Sequence, residues 1–199
     1  MKLTILGFMG GYPAKGVGTT AYLLESENFR LLIDVGSNAI LALERHLDPK
    51  LLDAVILTHY HPDHIGLVSK LMKQGIKLLV IDTQRTSIHY SDEIFRRDKR
   101  LNYEPIDEES ITVISCEESR EFLEGMGIFG EIISTPSHSK DSVSLILDNG
   151  VCFVGDLEPI EYLNAYKENA ILKKDWELVM SHNPKMIYYA HANEKNCDE

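Results

Sequence analysis

Residues 58–64 place three histidines and one aspartate in a single heptapeptide, T-H-Y-H-P-D-H, directly after the apolar run 54–57. Imidazoles and carboxylates that are crowded together lose solvation and add no packing benefit, so such a cluster is costly unless a cation lies among them. The heptapeptide therefore predicts a metal site. It also restricts the fold to one in which the metal site lies at the end of a buried strand.

The spacing within the heptapeptide predicts two neighbouring ions. His59 and His61 are two residues apart, so in an extended chain their side chains face the same way and can bind one ion. Pro62 turns the chain, and Asp63 and His64 then begin a predicted helix from which they can face a second ion. The positive end of that helix also suits a carboxylate.

Further ligands are expected at the ends of other predicted strands, where loops gather above a sheet. The candidates are His138, Asp156 and His191, each of which lies just past the end of a predicted strand. A ligand set of nitrogen and oxygen atoms without thiolate suits a catalytic rather than a structural site. We expect two divalent metal ions, with zinc as the first choice and iron or manganese also compatible.

Short apolar runs bounded by glycine, proline or aspartate predict strands, and stretches of helical periodicity lie between some of them. The predicted strands are 3–8, 21–25, 31–35, 54–58, 77–81, 111–114, 131–135, 143–147, 151–154 and 186–190. The predicted helices are 38–46, 64–73, 116–124, 159–169 and 175–181.

The order of these elements excludes a purely parallel, doubly wound sheet. The first three strands are separated only by turns, and the tripeptide Asp-Asn-Gly at 148–150 predicts a hairpin. Runs of consecutive strands mixed with helices indicate an α/β protein with two mixed sheets flanked by helices. With 199 residues, the chain is expected to form one domain over 1–199.

Charge and cysteine content narrow the class of partner. The chain has 20 basic and 31 acidic residues, a net charge of −11. This disfavours a stable nucleic-acid complex and binding to anionic membranes, and favours a small-molecule substrate, with homo-oligomerisation left open.

No apolar stretch is long enough to span a bilayer, and the start predicts a strand rather than a signal peptide. Three cysteines without C-x-x-C spacing predict a cytoplasmic protein without disulfides.

Residues 83–103 have two interpretations. This stretch holds Arg96, Arg97, Lys99 and Arg100 among aromatic residues. It could form a cap over the site, or it could be a helix whose charges are simply solvated, which is the common outcome for charge runs. His46, His89 and His182 have no partner motif, and we assign them to surface or capping roles.

The motifs together resemble those of the metallo-β-lactamase-fold hydrolases. Residues 58–66 resemble the signature T-H-x-H-x-D-H-x-G, and residues 34–36 resemble the upstream D-x-G motif. His138, the Gly-Asp pair at 155–156 and His191 follow in the order of that family. The resemblance implies a four-layer αββα sandwich.

The resemblance also implies roles for individual residues. The first ion would be held by His59, His61 and His138, the second by Asp63, His64 and His191, and both by a bridging Asp156. Asp34 would orient the ligand loop. Asp63 and Asp156 are the candidate catalytic carboxylates.

The implied activity is hydrolysis by a metal-bound hydroxide at a dinuclear site. The glycine-rich start, residues 6–13, resembles the ribonuclease Z and phosphodiesterase branch, which favours a small phosphodiester. Residues 135–147 resemble the glyoxalase II branch, which favours a thioester or lactone, although Ser137, Ser139 and Asp141 depart from its pattern. A non-hydrolytic iron or other metal-binding protein on the same fold is the third alternative.

Overall fold

Two mixed β-sheets form the centre of the molecule. A computed structural model describes residues 1–8, 10, 18–99, 103–165 and 168–198. The strands of the first sheet are β1 (Lys2–Gly7), β2 (Ala21–Glu25), β3 (Arg30–Ile33), β4 (Ala54–Ile56), β5 (Lys77–Ile81) and β6 (Ile111–Ile114). The strands of the second are β7 (Gly130–Ser134), β8 (Val143–Leu147), β9 (Val151–Phe153), β10 (Met186–Tyr188) and β11 (Lys195–Asn196).

The first sheet keeps its strands in chain order. β1, β2 and β3 are antiparallel, as expected for strands joined by turns, whereas β3, β4, β5 and β6 are parallel. The short strand β4 is buried along its whole length, with the sequence Ala-Val-Ile. A strand covered on both faces needs no polar alternation, which explains its continuous apolar run.

The second sheet has the order β11-β10-β9-β8-β7. β7, β8 and β9 pair antiparallel, and the turn at 148–150 joins β8 to β9 with Gly150 at a φ of 89°. β9 and β10 are parallel, and they are connected through the longest helix of the described chain. The carboxyl ends of β9 and β10 therefore lie at one edge of this sheet.

Helices cover the outer faces. They are α1 (Ala39–Leu43), α2 (Pro62–Ile65), α3 (Val68–Met72), α4 (Asp92–Arg97), α5 (Cys116–Glu124) and α6 (Ala170–Ser181). None of the helices in the described part of the chain has the length and apolar character that a membrane span requires.

Three apolar clusters lie between the layers. The central one packs the inner faces of the two sheets together, and Tyr22 of the first sheet lies 5.0 Å from Phe153 of the second, between ring centroids. A second cluster packs α1 and α3 on the first sheet, and a third packs Trp176 of α6 on the second. The order helix, sheet, sheet, helix confirms the predicted αββα arrangement.

Helix α1 (Ala39–Leu43) is shorter than the predicted 38–46, and three other predicted helices also differ from the structure. The helix expected at 64–73 is two helices, α2 and α3, because the chain leaves helical geometry at Leu67, after Gly66 has packed against Ser37. The helix expected at 159–169 is a 3-10 segment, Ile160–Asn164, and residues 166–167 lie outside the described residues.

The third of these helices, α6, begins five residues before the predicted 175–181. Asn169 caps it by accepting a hydrogen bond from the Leu172 amide. Strand β10 ends at Tyr188 rather than at residue 190. Helix α5 has its predicted bounds and the predicted capping box between Ser115 and Glu118.

Candidate metal centre

The candidate ligands come together at the edge where strands of both sheets end. Residues 59–64 follow β4, Asp156 follows β9, and His191 follows β10. His138 lies in the connection between β7 and β8. The amide of Val143 at the start of β8 donates a hydrogen bond to the Thr58 carbonyl, 2.9 Å away, which ties the second sheet to the ligand loop.

The first ligand cluster contains His59, His61, His138 and Asp156, whose ligand atoms all lie within 4.8 Å of one another. His138 Nε2 is 3.1 Å from His61 Nδ1. Asp156 Oδ2 lies 3.4 Å from His138 Nε2 and 3.5 Å from His59 Nε2. Three imidazole nitrogens thus converge on one carboxylate oxygen.

The second ligand cluster contains Asp63, His64, Asp156 and His191. Its ligand atoms also lie within 4.8 Å of one another. His191 Nε2 is 3.0 Å from Asp63 Oδ2 and 3.1 Å from Asp156 Oδ2. His64 Nε2 is 3.1 Å from Asp156 Oδ1. Asp156 is the residue that the two clusters share.

The geometry of both clusters fits metal ions. Around a tetrahedral ion with bonds of about 2.1 Å, neighbouring ligand atoms are about 3.4 Å apart. The observed separations of 3.0 to 3.5 Å lie close to that spacing. In addition, His59 Nε2, His64 Nε2 and Asp156 Oδ1 are buried without a hydrogen-bond partner in the described structure. Buried polar atoms of this kind are satisfied when they coordinate a cation.

His59 and Asp156 already have the charge that a metal ligand needs, whereas His191 must first lose a proton. Burial, together with the nearby charge of His64, lowers the pKa of His59 well below its usual range, so this imidazole is a neutral ligand. Burial alone would raise the pKa of Asp156, but its contacts with His191 and His64 hold it below the usual range. Contacts with Asp156 and Asp63 raise the pKa of His191 to about 9, so a metal ion binding there displaces a proton.

Asp34 contacts His64 of the second cluster on the side of its ring that faces away from the other ligands. Its side chain is fully buried, its Oδ1 accepts a hydrogen bond from the Thr58 amide, and its Oδ2 accepts one from the Thr58 hydroxyl. The same Oδ2 lies 2.9 Å from His64 Nδ1. A carboxylate there favours the proton on Nδ1 and leaves Nε2 free for a metal. Asp34 holds a φ of 57°, which few residues other than glycine adopt readily.

Two buried residues that the sequence analysis did not assign to the site also position the ligand loop. Asp141 Oδ2 accepts a hydrogen bond from the Tyr60 amide at 2.8 Å. Gln84 Nε2 donates to the carbonyls of Leu57 and Asp141 at 2.9 and 3.0 Å. The signal for Asp141 was its departure from the glyoxalase II pattern, whereas no local motif marks Gln84.

A glycine makes room for His191. Gly10 has a φ of 51°, and a Cβ atom built on it would lie 1.9 Å from His191 Cε1. The Gly10 amide donates hydrogen bonds to the Ala190 carbonyl and to Thr20 Oγ1, both at 3.1 Å. Of the glycine-rich start at 6–13, Met9 and residues 11–13 lie outside the described residues.

Substitution of Gly10 by alanine is expected to displace His191 and to lower the metal content from two ions toward one. Gly75→Ala is the matched control, because Gly75 also has a positive φ, +90°, but nothing within 4 Å of its added Cβ. Both variants incur backbone strain, and only Gly10→Ala is expected to lose metal, as measured by elemental analysis. Equal metal content in the two variants would contradict this function of Gly10.

Besides Gln84, the described part of the stretch 83–103 approaches the site at Tyr90 and Ser91. Ser91 Oγ donates a hydrogen bond to the Tyr60 carbonyl at 2.6 Å, and the exposed Tyr90 ring lies 5.2 Å from the His61 ring. Arg96 and Arg97 instead bond Asp92 and Glu93 of their own helix, α4. They are therefore not a free positive patch, and Arg100 lies outside the described residues.

The remaining histidines lie outside both clusters. His89 lies between Asp92 and Glu108, at 3.1 and 3.0 Å, and His182 Nδ1 lies 3.6 Å from Glu131. His46 follows α1, at a turn. The metal-ligand groups found among the described residues contain the seven residues His59, His61, Asp63, His64, His138, Asp156 and His191.

Comparison with known families agrees with this geometry. The profile of the metallo-beta-lactamase superfamily matches residues 14–191. The chain belongs to the metallo-beta-lactamase superfamily. Most members of this superfamily are hydrolases. The match confirms the family that the motifs at 58–66 and 34–36 indicated.

One relative that matches most of the chain has low sequence identity to it. The chain is 28% identical over 183 residues to the beta-lactamase-like protein 2 homolog of Drosophila melanogaster, with 88% of this chain and 59% of that protein covered. Thus the chain spans about three fifths of the length of this relative.

Solved structures of low identity show the same fold. A metallo-beta-lactamase family protein of Thermus thermophilus superimposes with a TM-score of 0.72 at 19% identity, covering 98% of this chain and 74% of the other. The rubredoxin oxygen:oxidoreductase of Desulfovibrio gigas superimposes with a TM-score of 0.68 at 15% identity. The superposition covers 98% of this chain and 56% of the other. The superfamily fold therefore occurs in hydrolases and in an oxidoreductase.

Proposed function

We propose that the chain is a metal-dependent hydrolase with a dinuclear site. The observation that supports this best is the presence of two ligand clusters that share Asp156. A dinuclear centre of divalent ions supplies Lewis-acid polarisation of the scissile group and an activated water near neutral pH. The nitrogen and oxygen ligands favour zinc first, with iron and manganese also compatible.

The candidate ligands differ in burial, and this difference indicates from which side a substrate approaches. His59 and His64 are fully buried, so water is excluded from the side of the centre that faces the sheets. The side chains of His138 and His191 are 28% and 47% exposed. The substrate therefore approaches across His138 and His191. Asp63 and Asp156 present carboxylate oxygens on that same side, where they can orient an attacking water by accepting its hydrogen bonds.

For the substrate, we propose a small phosphodiester. The resemblance of residues 6–13 to the phosphodiesterase branch supports this class. Two divalent ions are also suited to clamp the attacking and leaving oxygens of a phosphoryl transfer. Arg96 and Arg97 add no support for a phosphodiester, because they bond carboxylates of their own helix.

A thioester or lactone substrate is the second candidate, favoured by residues 135–147. The departure of Asp141 from that pattern has a structural explanation, since its carboxylate binds the Tyr60 amide. The pattern therefore differs where the residue supports the ligand loop, and the difference does not count against this substrate class.

We expect the purified protein to bind two divalent ions per chain, about 3.5–4 Å apart as in other two-metal sites. Elemental analysis and a crystal structure of the loaded protein measure the number and the separation. A single ion, with Asp63 or His191 pointing away from it, would contradict the dinuclear assignment.

The substrate class is tested with chromogenic phosphodiester, thioester and lactone reporters on protein loaded with zinc, manganese or iron. The proposal expects the highest kcat/KM for the phosphodiester, and loss of turnover after chelation. Faster turnover of the thioester or lactone would reject the phosphodiester. Oxygen consumption by the iron form without hydrolysis of any reporter would reject the hydrolase.

A further inference from the structure

Two cavities open beside the exposed side of the ligand clusters. One, of about 270 Å³, lies against Asp156 and His191, and the other, of about 190 Å³, lies against Ser137. His138 and Glu158 line both cavities. Glu158 comes two residues after the shared ligand Asp156, so its position is fixed by the same loop that holds the centre.

We call the two cavities together the cleft. Its free charge is negative and comes from Glu158. Neither cavity has a lysine or arginine among its described lining residues. Glu158 is exposed, and within the described part of the chain its carboxylate has no ion pair or hydrogen bond. Its backbone carbonyl accepts a hydrogen bond from the Trp176 indole at 2.9 Å, which anchors the residue to α6. An anchored carboxylate without a cation repels anions.

The walls of the cleft also hold hydroxyl groups without partners. Tyr189 lines the larger cavity, is 3% exposed, and its hydroxyl has no hydrogen-bond partner in the described structure. The Ser137 hydroxyl, in the wall of the smaller cavity, is buried and unpartnered in the same way. Because both oxygen atoms are shielded inside the walls, neither reaches a molecule bound in the cavities, and selection there depends on charge.

We propose that Glu158 selects the substrate by the charge of the group next to the scissile bond. The cleft takes a neutral or cationic group, and it excludes groups that carry a carboxylate. This inference rests on the proposed hydrolase function. It adds a specificity-determining residue that lies outside the ligand clusters and is not a catalytic residue.

The test uses methyl aryl phosphodiesters that differ only in the charge of the released phenol. The phenols are 4-nitrophenol, a carboxylated nitrophenol and an aminomethyl nitrophenol. Each rate for Glu158→Gln is divided by the rate of the wild-type protein with the same reporter, so that differences in intrinsic reactivity cancel. Glu161→Gln is the control, because Glu161 lies three residues on but pairs with Lys195.

Glu158→Gln is expected to raise kcat/KM for the carboxylated reporter and to lower it for the aminomethyl reporter, each by about fivefold, the effect of one partly exposed charge pair. The neutral reporter should change little, and the changes should appear in KM rather than kcat. Equal effects on all three reporters, or the same pattern with Glu161→Gln, would overturn the inference.

A binding measurement separates this inference from the proposed function. The three free phenols are dialysed against the purified protein, and bound phenol is read by absorbance. Tighter binding of the aminomethyl phenol than of the carboxylated one, with the difference lost in Glu158→Gln, supports charge selection even if no phosphodiester is hydrolysed. Turnover of phosphodiesters without any charge preference in binding would retain the hydrolase and reject the role of Glu158.

Discussion

Asp156→Ala is expected to reduce hydrolysis by more than about a hundredfold, beyond the effect typical of residues that only orient a ligand. The reason is that Asp156 alone belongs to both ligand clusters, so its loss removes a ligand from each. The fold should persist, because the residue lies in a loop after β9 and joins none of the apolar clusters. Steady-state kinetics, metal content and circular dichroism together measure these effects.

His182→Ala is the control for this prediction. His182 follows α6 and lies 3.6 Å from Glu131, outside both ligand clusters. Its replacement should leave turnover and metal content nearly unchanged. Equal losses of activity in the two variants would show that the ligand assignment is wrong.

Asp34→Asn is expected to cause the second large effect, a loss of both metal affinity and stability. An amide nitrogen in place of Oδ2 no longer accepts the proton of His64 Nδ1, so the proton moves to Nε2 and blocks the ligand atom. Affinity at the second cluster should fall by about 10- to 100-fold. The free energy of unfolding should fall by about 3 kcal/mol, since a buried charged contact loses one partner.

Asp53→Asn is the matched control. Asp53 Oδ2 also accepts a backbone hydrogen bond, from Arg30 at 2.7 Å, but it lies at the opposite end of β4 from the ligand loop. Metal titrations and denaturant unfolding compare the two variants. Unchanged metal affinity in Asp34→Asn would mean that the contact with His64 Nδ1 does not set its tautomer.

That the candidate ligands would come together was predictable because their signal is local. Residues 59–64 crowd four ligand candidates into one loop, and their chemical cost without a cation can be argued from the sequence itself. The two-sheet arrangement followed from the order of apolar runs and turns. Several of the predicted strand ends were off by one or two residues, but His138, Asp156 and His191 all lie shortly after strands, as expected from the sequence.

The contacts that support the ligands were not predictable in the same way. Gln84 bonds Leu57 and Asp141, residues 27 and 57 positions away in the chain. Such contacts depend on how the sheets pack, and no periodicity reports them. The break between α2 and α3 was missed for a similar reason, since the periodicity continues through Gly66 while the backbone there packs against Ser37.

The division of the ligands between the two sheets has a consequence for folding. The first sheet and its loops supply His59, His61, Asp63 and His64, whereas His138, Asp156 and His191 come from loops of the second. Neither half alone contains a complete cluster, so tight metal capture requires that both halves have already docked. By mass action, each bound ion then stabilises the docked state in proportion to the logarithm of its free concentration. With metal bound as proposed, a shortage of metal should therefore expose the interface between the two halves before it unfolds either sheet.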